Sequence, residues 1–136
     1  MTKVFIASRI GAKTKKQFEK NLNRMRAFAR FALKRGFHPI PTALTYCSFM
    51  DDFSPEERKL GQEFGRADML ECQQVWALED GVAFSDGVRG DMKMARESDI
   101  QVQIWNADNV ANYLKENDPY GYKLWLKGKQ KGGEKT

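Results

Sequence analysis

With 136 residues, 41% of them hydrophobic and 12% aromatic, the chain is long enough for one real core, too short for two domains and too apolar for disorder. No apolar stretch approaches membrane-spanning length and no signal-peptide pattern follows the basic start, so a soluble, cytoplasmic protein with no membrane partner is expected. The net charge of +5 is unevenly distributed: residues 1–35 hold eleven Lys or Arg against Glu19 alone, which suits phosphates, nucleic acid or an acidic surface unless it is a solvated helix face.

"KVFIAS" (3–8) is a short apolar, β-branched segment that reads as a buried strand. A helix follows from about Thr14 to Arg35, in which Phe18, Leu22, Met25, Ala29 and Ala32 make one apolar stripe and Gly36 is the stop. Lys16, Lys20 and Arg24 share one face of this helix and Arg26 with Arg30 another, so positive charge surrounds the stripe. No DNA- or RNA-reading motif accompanies it, and nucleic acid stays an unsupported partner. "FHPIPTAL" (37–44) is a second strand shortened by Pro39 and Pro41, with His38 a structural residue beside them. In "SPEERKLGQEFGRADMLE", Ser54, Pro55 and Glu57 give a helix-start signature. "QQVWALE" (73–79) is a third strand with Trp76 in the core, "VRGDMKMARES" (88–98) a helix, and "DIQVQIW" (99–105) a fourth strand whose Trp105 either packs or lines a site. Residues 107–116 add a short helix, and 119–136 form an extension whose Lys- and Gly-rich tail, 127–136, has nothing to bury and is expected to be mobile.

Strands that alternate with helices, without hairpin signals, predict an α/β fold: a three-layer sandwich around a mainly parallel sheet of four to five strands, flavodoxin- or Rossmann-like, in a single domain over 1–118. Cys47 and Cys72, widely spaced and accompanied by one His, indicate neither a disulfide framework nor a zinc site, and no glycine-rich phosphate loop is present. No metal and no cofactor are expected.

In such a sheet, ligands sit beyond the strands' carboxyl ends where the strand order reverses. Ser8 and Arg9 follow the first strand, Thr42 and Tyr46 the second, and Ser85, Asp86 and Gly87 the third, with Asp91 one turn into the next helix. Arg9 can grip a phosphate, and Tyr46 or Phe49 can stack on a base. Asp91 either complements a helix dipole or acts as a carboxylate nucleophile at an anomeric carbon.

The segment Gly87-Val88-Arg89-Gly90-Asp91, with Ala95 four residues on, resembles the part of nucleoside 2-deoxyribosyltransferases and related nucleotide N-glycosidases in which a Gly precedes the nucleophilic Glu by four. "FIAS", Glu19 with Asn21, "GFHPIP", "PEERKLGQEFG", "VWAL" and "SDGVRGDM" echo, in order, the pattern of the deoxyribosyltransferase-like proteins of bacteria and phages, over roughly 3–105. The resemblance implies a flavodoxin-like fold, a homo-oligomer with a site completed by a neighbouring subunit, and a nucleoside or nucleotide as the small-molecule partner. It also implies Asp91 as nucleophile, Asp86 on a sugar hydroxyl or the leaving base's proton, and Ser8 with Arg9 on the hydroxymethyl or phosphate end. Three departures stand out: Asp91 replaces Glu, Thr42 stands where close relatives carry His, and Gly65 lies where an acid would polarise the base, with Glu63 the nearest acid. A carboxylate set back by one methylene, about 1.5 Å, can lose on the order of a hundredfold in rate. Two classes of function follow: an N-glycosidase or (deoxy)ribosyltransferase acting on a nucleoside, nucleotide or NAD-like metabolite, or an eroded homologue that binds a nucleotide signal without turnover.

Overall fold

The first strand, β1 (Lys3–Ala7), buries Val4, Phe5, Ile6 and Ala7, as a strand must when both faces of its sheet are covered. Val4 and Ile6 enter one apolar core with Phe28, Phe31, Trp76 and Leu78, while Phe5 and Ala7 enter a second with Met69, Val75, Ala77 and Val88. The computed structural model describes residues 1–129. After β1 come α1 (Lys15–Lys34), β2 (His38–Ile40), α2 (Thr42–Cys47), α3 (Pro55–Met69), β3 (Gln74–Glu79), α4 (Asp86–Glu97), β4 (Gln101–Asn106), α5 (Ala107–Asn117) and α6 (Pro119–Lys127). The four strands are all parallel in the order β2-β1-β3-β4, with Phe5 opposite both Ile40 and Val75, and Ala77 opposite Ile104. α1, α5 and α6 contribute to the first core, α3 and α4 to the second, which makes the three-layer, Rossmann- or flavodoxin-like sandwich expected of the alternating pattern. No helix among the described residues is long and apolar enough to cross a membrane.

Local chemistry explains where expectation and structure part. The second strand ends at Ile40 rather than running on to Leu44: Pro41 has no N–H to give a ladder, and it becomes the residue before α2, so Thr42 opens a helix. α4 starts two residues early because Ser85 is the cap, its Oγ accepting from the Val88 amide at 3.3 Å. α1 buries more than its predicted stripe: Ala27, Phe28 and Phe31 are also covered, by the sheet and by the C-terminal helices. Phe31 is the hub there, with ring centroids 5.0 Å from Trp105, 5.2 Å from Tyr113 and 5.9 Å from Trp76. Trp105 therefore packs in the core and lines no cleft.

α6 is the element that the sequence reading left inside an unassigned extension. It lies along α1 with Trp125 buried, and Arg24 of α1 stacks over that ring at 5.2 Å. Asp118, 2% exposed between α5 and α6, accepts both bonds of an Arg30 fork, from Nε at 2.7 Å and from Nη2 at 2.9 Å. These bonds hold its carboxyl below the ordinary value. Gly128, expected in a tail with nothing to bury, is buried against α1: a Cβ there would stand 2.7 Å from the Arg24 amide nitrogen and 2.7 Å from the Lys20 carbonyl oxygen. Residues 130–136 of the expected mobile tail lie outside the described residues.

Replacing Asp118 by Asn removes the charge from the Arg30 fork and is expected to lower the unfolding free energy by about 1.5–3 kcal/mol, measured by denaturant titration at neutral pH. Because the folded pKa is depressed, the pair stabilises above the ordinary carboxyl value of 3.8, and the gap between the two proteins closes as pH falls through the lower folded value. Gly128→Ala is expected to cost about 1–3 kcal/mol, since its contacts are with backbone and cannot rotate away.

Candidate functional site

The connection leaving β1 passes through α1 on one face of the sheet, and the connection leaving β3 passes through α4 on the other. The two strands are neighbours, so their carboxyl ends part company and open a cleft. Its volume is about 1440 Å³, and its wall includes every residue expected at the site: Ser8, Arg9, Thr42, Tyr46, Ser85, Asp86, Gly87 and Asp91.

Asp91 lies in the second turn of α4, because the helix begins at Asp86. A dipole account of this carboxylate is thereby weakened, since that field falls off within the first turn. The group is partly buried and accepts no hydrogen bond among the described residues. Loss of water pushes its pKa up to about 7, and the positive charge of Arg66, across the cleft on α3, opposes the shift. A bare carboxylate on the wall of a ligand-sized cleft has two chemical uses, to accept a hydrogen bond from a ligand or to attack one of its carbons.

The other expected residues divide. Ser8 is 7% exposed and its hydroxyl is buried with no hydrogen-bond partner, an arrangement that a polar ligand would relieve. Arg9 reaches over to the β3–α4 loop, donating from Nη2 to the Ala83 carbonyl at 2.6 Å. Thr42 is 3% exposed and donates its hydroxyl to Asp68 at 2.6 Å, so its proton is held within the protein. Tyr46 stacks one ring face on Phe64, centroids 4.5 Å apart, and Phe49, 70% exposed, lies outside the cleft wall. Ser85 is committed as the α4 cap. Asp86 sits at the rim, its side chain facing solvent and paired with Arg89, and does not meet Asp91's surroundings as a built-in acid would. Gly87 leaves open space: an added Cβ would come no nearer than 4.0 Å to the Ser85 hydroxyl.

The cleft also holds residues that sequence reasoning missed. Gln17, Asn21 and Arg24, spaced four and three apart, form a polar stripe of α1 that faces it. Asn21, buried, donates to the Ile10 and Gly11 carbonyls at 3.0 and 3.3 Å and so pins the loop after β1. Arg24 pairs with Asp80 at 3.2 Å and is no part of a solvated basic face. The signal for this was present as three polar residues bordering the apolar stripe; it was read as surface charge. Glu63, the acid nearest Gly65, is exposed and off the wall. Burial pushes the thiols of Cys47 and Cys72 up to about 11, so neither is a thiolate at neutral pH. No group of three or more His, Cys, Asp or Glu that could hold a metal ion occurs among the described residues.

The raised Asp91 value has a consequence for stability with a definite sign. The folded protein keeps this proton to about pH 7 while the unfolded chain loses it near 3.8, so stability falls as pH rises between those values. Asp91→Asn never ionises, and thermal melts across this range are expected to show the variant gaining on the native protein with rising pH and matching its trend below 3.8.

No curated protein matches the chain. A family model described as a domain of unknown function, DUF7768, matches residues 2–105, from the start of β1 through nearly all of β4 and therefore including the whole cleft except its contributions from α5 and the residues after α6. With three quarters of its length so matched, the chain belongs to the DUF7768 family of domains of unknown function.

Proposed function

We propose that the cleft binds a nucleoside or nucleotide and that the protein cleaves or transfers at its N-glycosidic bond, with Asp91 as nucleophile. The observation that carries this reading is the state of that carboxyl group: on the cleft wall, desolvated, and without a hydrogen bond among the described residues to blunt it. Desolvation makes an ionised carboxylate a better nucleophile, and proximity within about 3–3.5 Å of an anomeric carbon can supply most of the remaining rate. In the proposed step a carboxylate oxygen bonds to the anomeric carbon as the bond to the base breaks. The base leaves with the electron pair and takes a proton from solvent, and water or a second base then displaces the ester. The resemblance of Gly87 to Asp91 and Ala95 to deoxyribosyltransferase segments supports the same reading.

A second reading is binding without turnover. Two observations favour it: Asp86 is turned to solvent with Arg89, away from any leaving base, and Asp91 is largely neutral below about pH 7, when a nucleophile must be ionised. Under this reading the cleft holds a nucleotide unchanged.

The assay is release of free base from a panel of nucleosides, nucleoside monophosphates and NAD, followed chromatographically. Turnover is expected to rise with pH through about 7, as Asp91 ionises, and then level off. Asp91→Asn is expected to lower it by about a thousandfold or more. Base release that survives this substitution overturns the nucleophile, whereas tight binding of an unaltered ligand with no release selects the second reading.

A further inference from the structure

We propose that Arg24 and Ser8 form a phosphate subsite of the cleft, in which the carboxylate of Asp80 holds the position that a ligand's phosphomonoester takes. The organic part of that ligand rests on the nucleotide reading above; the phosphate does not.

Arg24 has an unusual set of partners for a side chain only 12% exposed. Its Nη1 meets Asp80 at 3.2 Å, its Nη2 donates to the Gly128 carbonyl at 3.1 Å, and its plane lies over Trp125. Its Nε is buried with no partner. A guanidinium is made to serve a multi-oxygen anion through several N–H groups at once, and here one carboxylate engages a single nitrogen. Arg9 lies close enough for its charge to oppose that of Arg24, so two cations share one acid.

Ser8 supplies the independent observation. Its hydroxyl, at the end of β1 on the same cleft wall, is buried and unpartnered. Two orphaned groups that can donate, one neutral and one cationic, on one wall beside a second arginine describe the complement of an anion. A phosphomonoester presents three oxygens and up to two charges, enough to serve Arg24 and Ser8 together. Asp80 is held loosely by comparison: one Arg24 nitrogen at 3.2 Å and the Val82 amide at 3.4 Å. It sits before Gly81, whose φ of +88° marks a tight turn, in the loop that Arg9 also grips through Ala83. Exchange of Asp80 for phosphate would therefore be felt along the loop leading to Ser85 and α4.

Calorimetric titration of the full chain at low salt, with the common nucleosides, their 5′-monophosphates and inorganic phosphate as probes, tests this. The monophosphate is expected to bind about tenfold or more tighter than its nucleoside. Asp80→Asn, which frees Arg24, is expected to tighten phosphate-bearing probes by about threefold, and Arg24→Gln to loosen them by about tenfold, with nucleoside affinity unmoved by either. Opposite shifts are the signature, because a pair that only braced the loop would give shifts of one sign. Ser8→Ala removes a buried hydroxyl without a partner, leaves the fold intact, and is expected to weaken phosphate binding even if Arg24→Gln fails to fold. Equal affinity for nucleoside and monophosphate, shifts of one sign, or no phosphate binding at all overturns the subsite. Phosphate bound with these variant effects but no nucleoside bound keeps the subsite and removes the nucleotide reading.

Discussion

The pairing of β1 with β3 is the constraint on which the rest of this protein depends. Val4, Phe5, Ile6 and Ala7 lie opposite Gln74 to Ala77, both strands are buried on both faces, and each must hand its chain to a covering helix. α1 takes one face and α4 the other. The polypeptide cannot fill the space between two connections that leave in opposite directions, so a cleft at this point is a property of the topology before any side chain is chosen. Side chains then decide its chemistry, and the ends of β1 and β3 contribute Ser8, Arg9 and Asp80 to it.

The polar chemistry inside the cleft is incompletely satisfied, and unevenly so. Asn21 and Thr42 are fully engaged, one with the loop carbonyls after β1 and the other with Asp68, and they make the frame rigid. Ser8, the Arg24 Nε and the carboxyl of Asp91 lack partners. A buried polar group without a hydrogen bond costs about 1–3 kcal/mol, an expense that a domain of this size has little stability to absorb. Three such groups on one cleft are what a site shaped for a polar ligand looks like, and they are the physical ground for both the nucleotide reading and the phosphate subsite.

α6 lies beyond the segment that the family model covers, yet it reaches the cleft. Trp125 and the Gly128 carbonyl hold Arg24 from behind, and the Asp118–Arg30 fork fastens the junction of α5 and α6 to α1. The helix that completes the first core thus also sets the position of a guanidinium on the cleft wall. This couples a stretch that contributes only packing to the charge of the site.

Much of the architecture was legible in order along the chain. Apolar segments bounded by Gly, Pro and polar residues marked the strands, the stripe through Leu22, Met25, Ala29 and Ala32 marked α1, and Ser54 with Pro55 marked the start of α3, because periodicity and caps are local and backbone-determined. The alternation implied a parallel sheet, and the parallel sheet implied where to look for Ser8, Arg9, Ser85 and Asp91. What the sequence could not settle were pairings between residues far apart: Arg24 with Asp80, Arg30 with Asp118, Thr42 with Asp68, and Gly128 with the backbone of α1. Each depends on which elements pack together, and a charged residue on a helix reads as solvated until its partner is brought to it. By itself, then, the sequence determined the elements, their parallel arrangement and the end of the sheet that bears the cleft; only the tertiary structure decided which polar groups in it are satisfied and which are left bare, because burial is a property of the assembled layers and of no single segment.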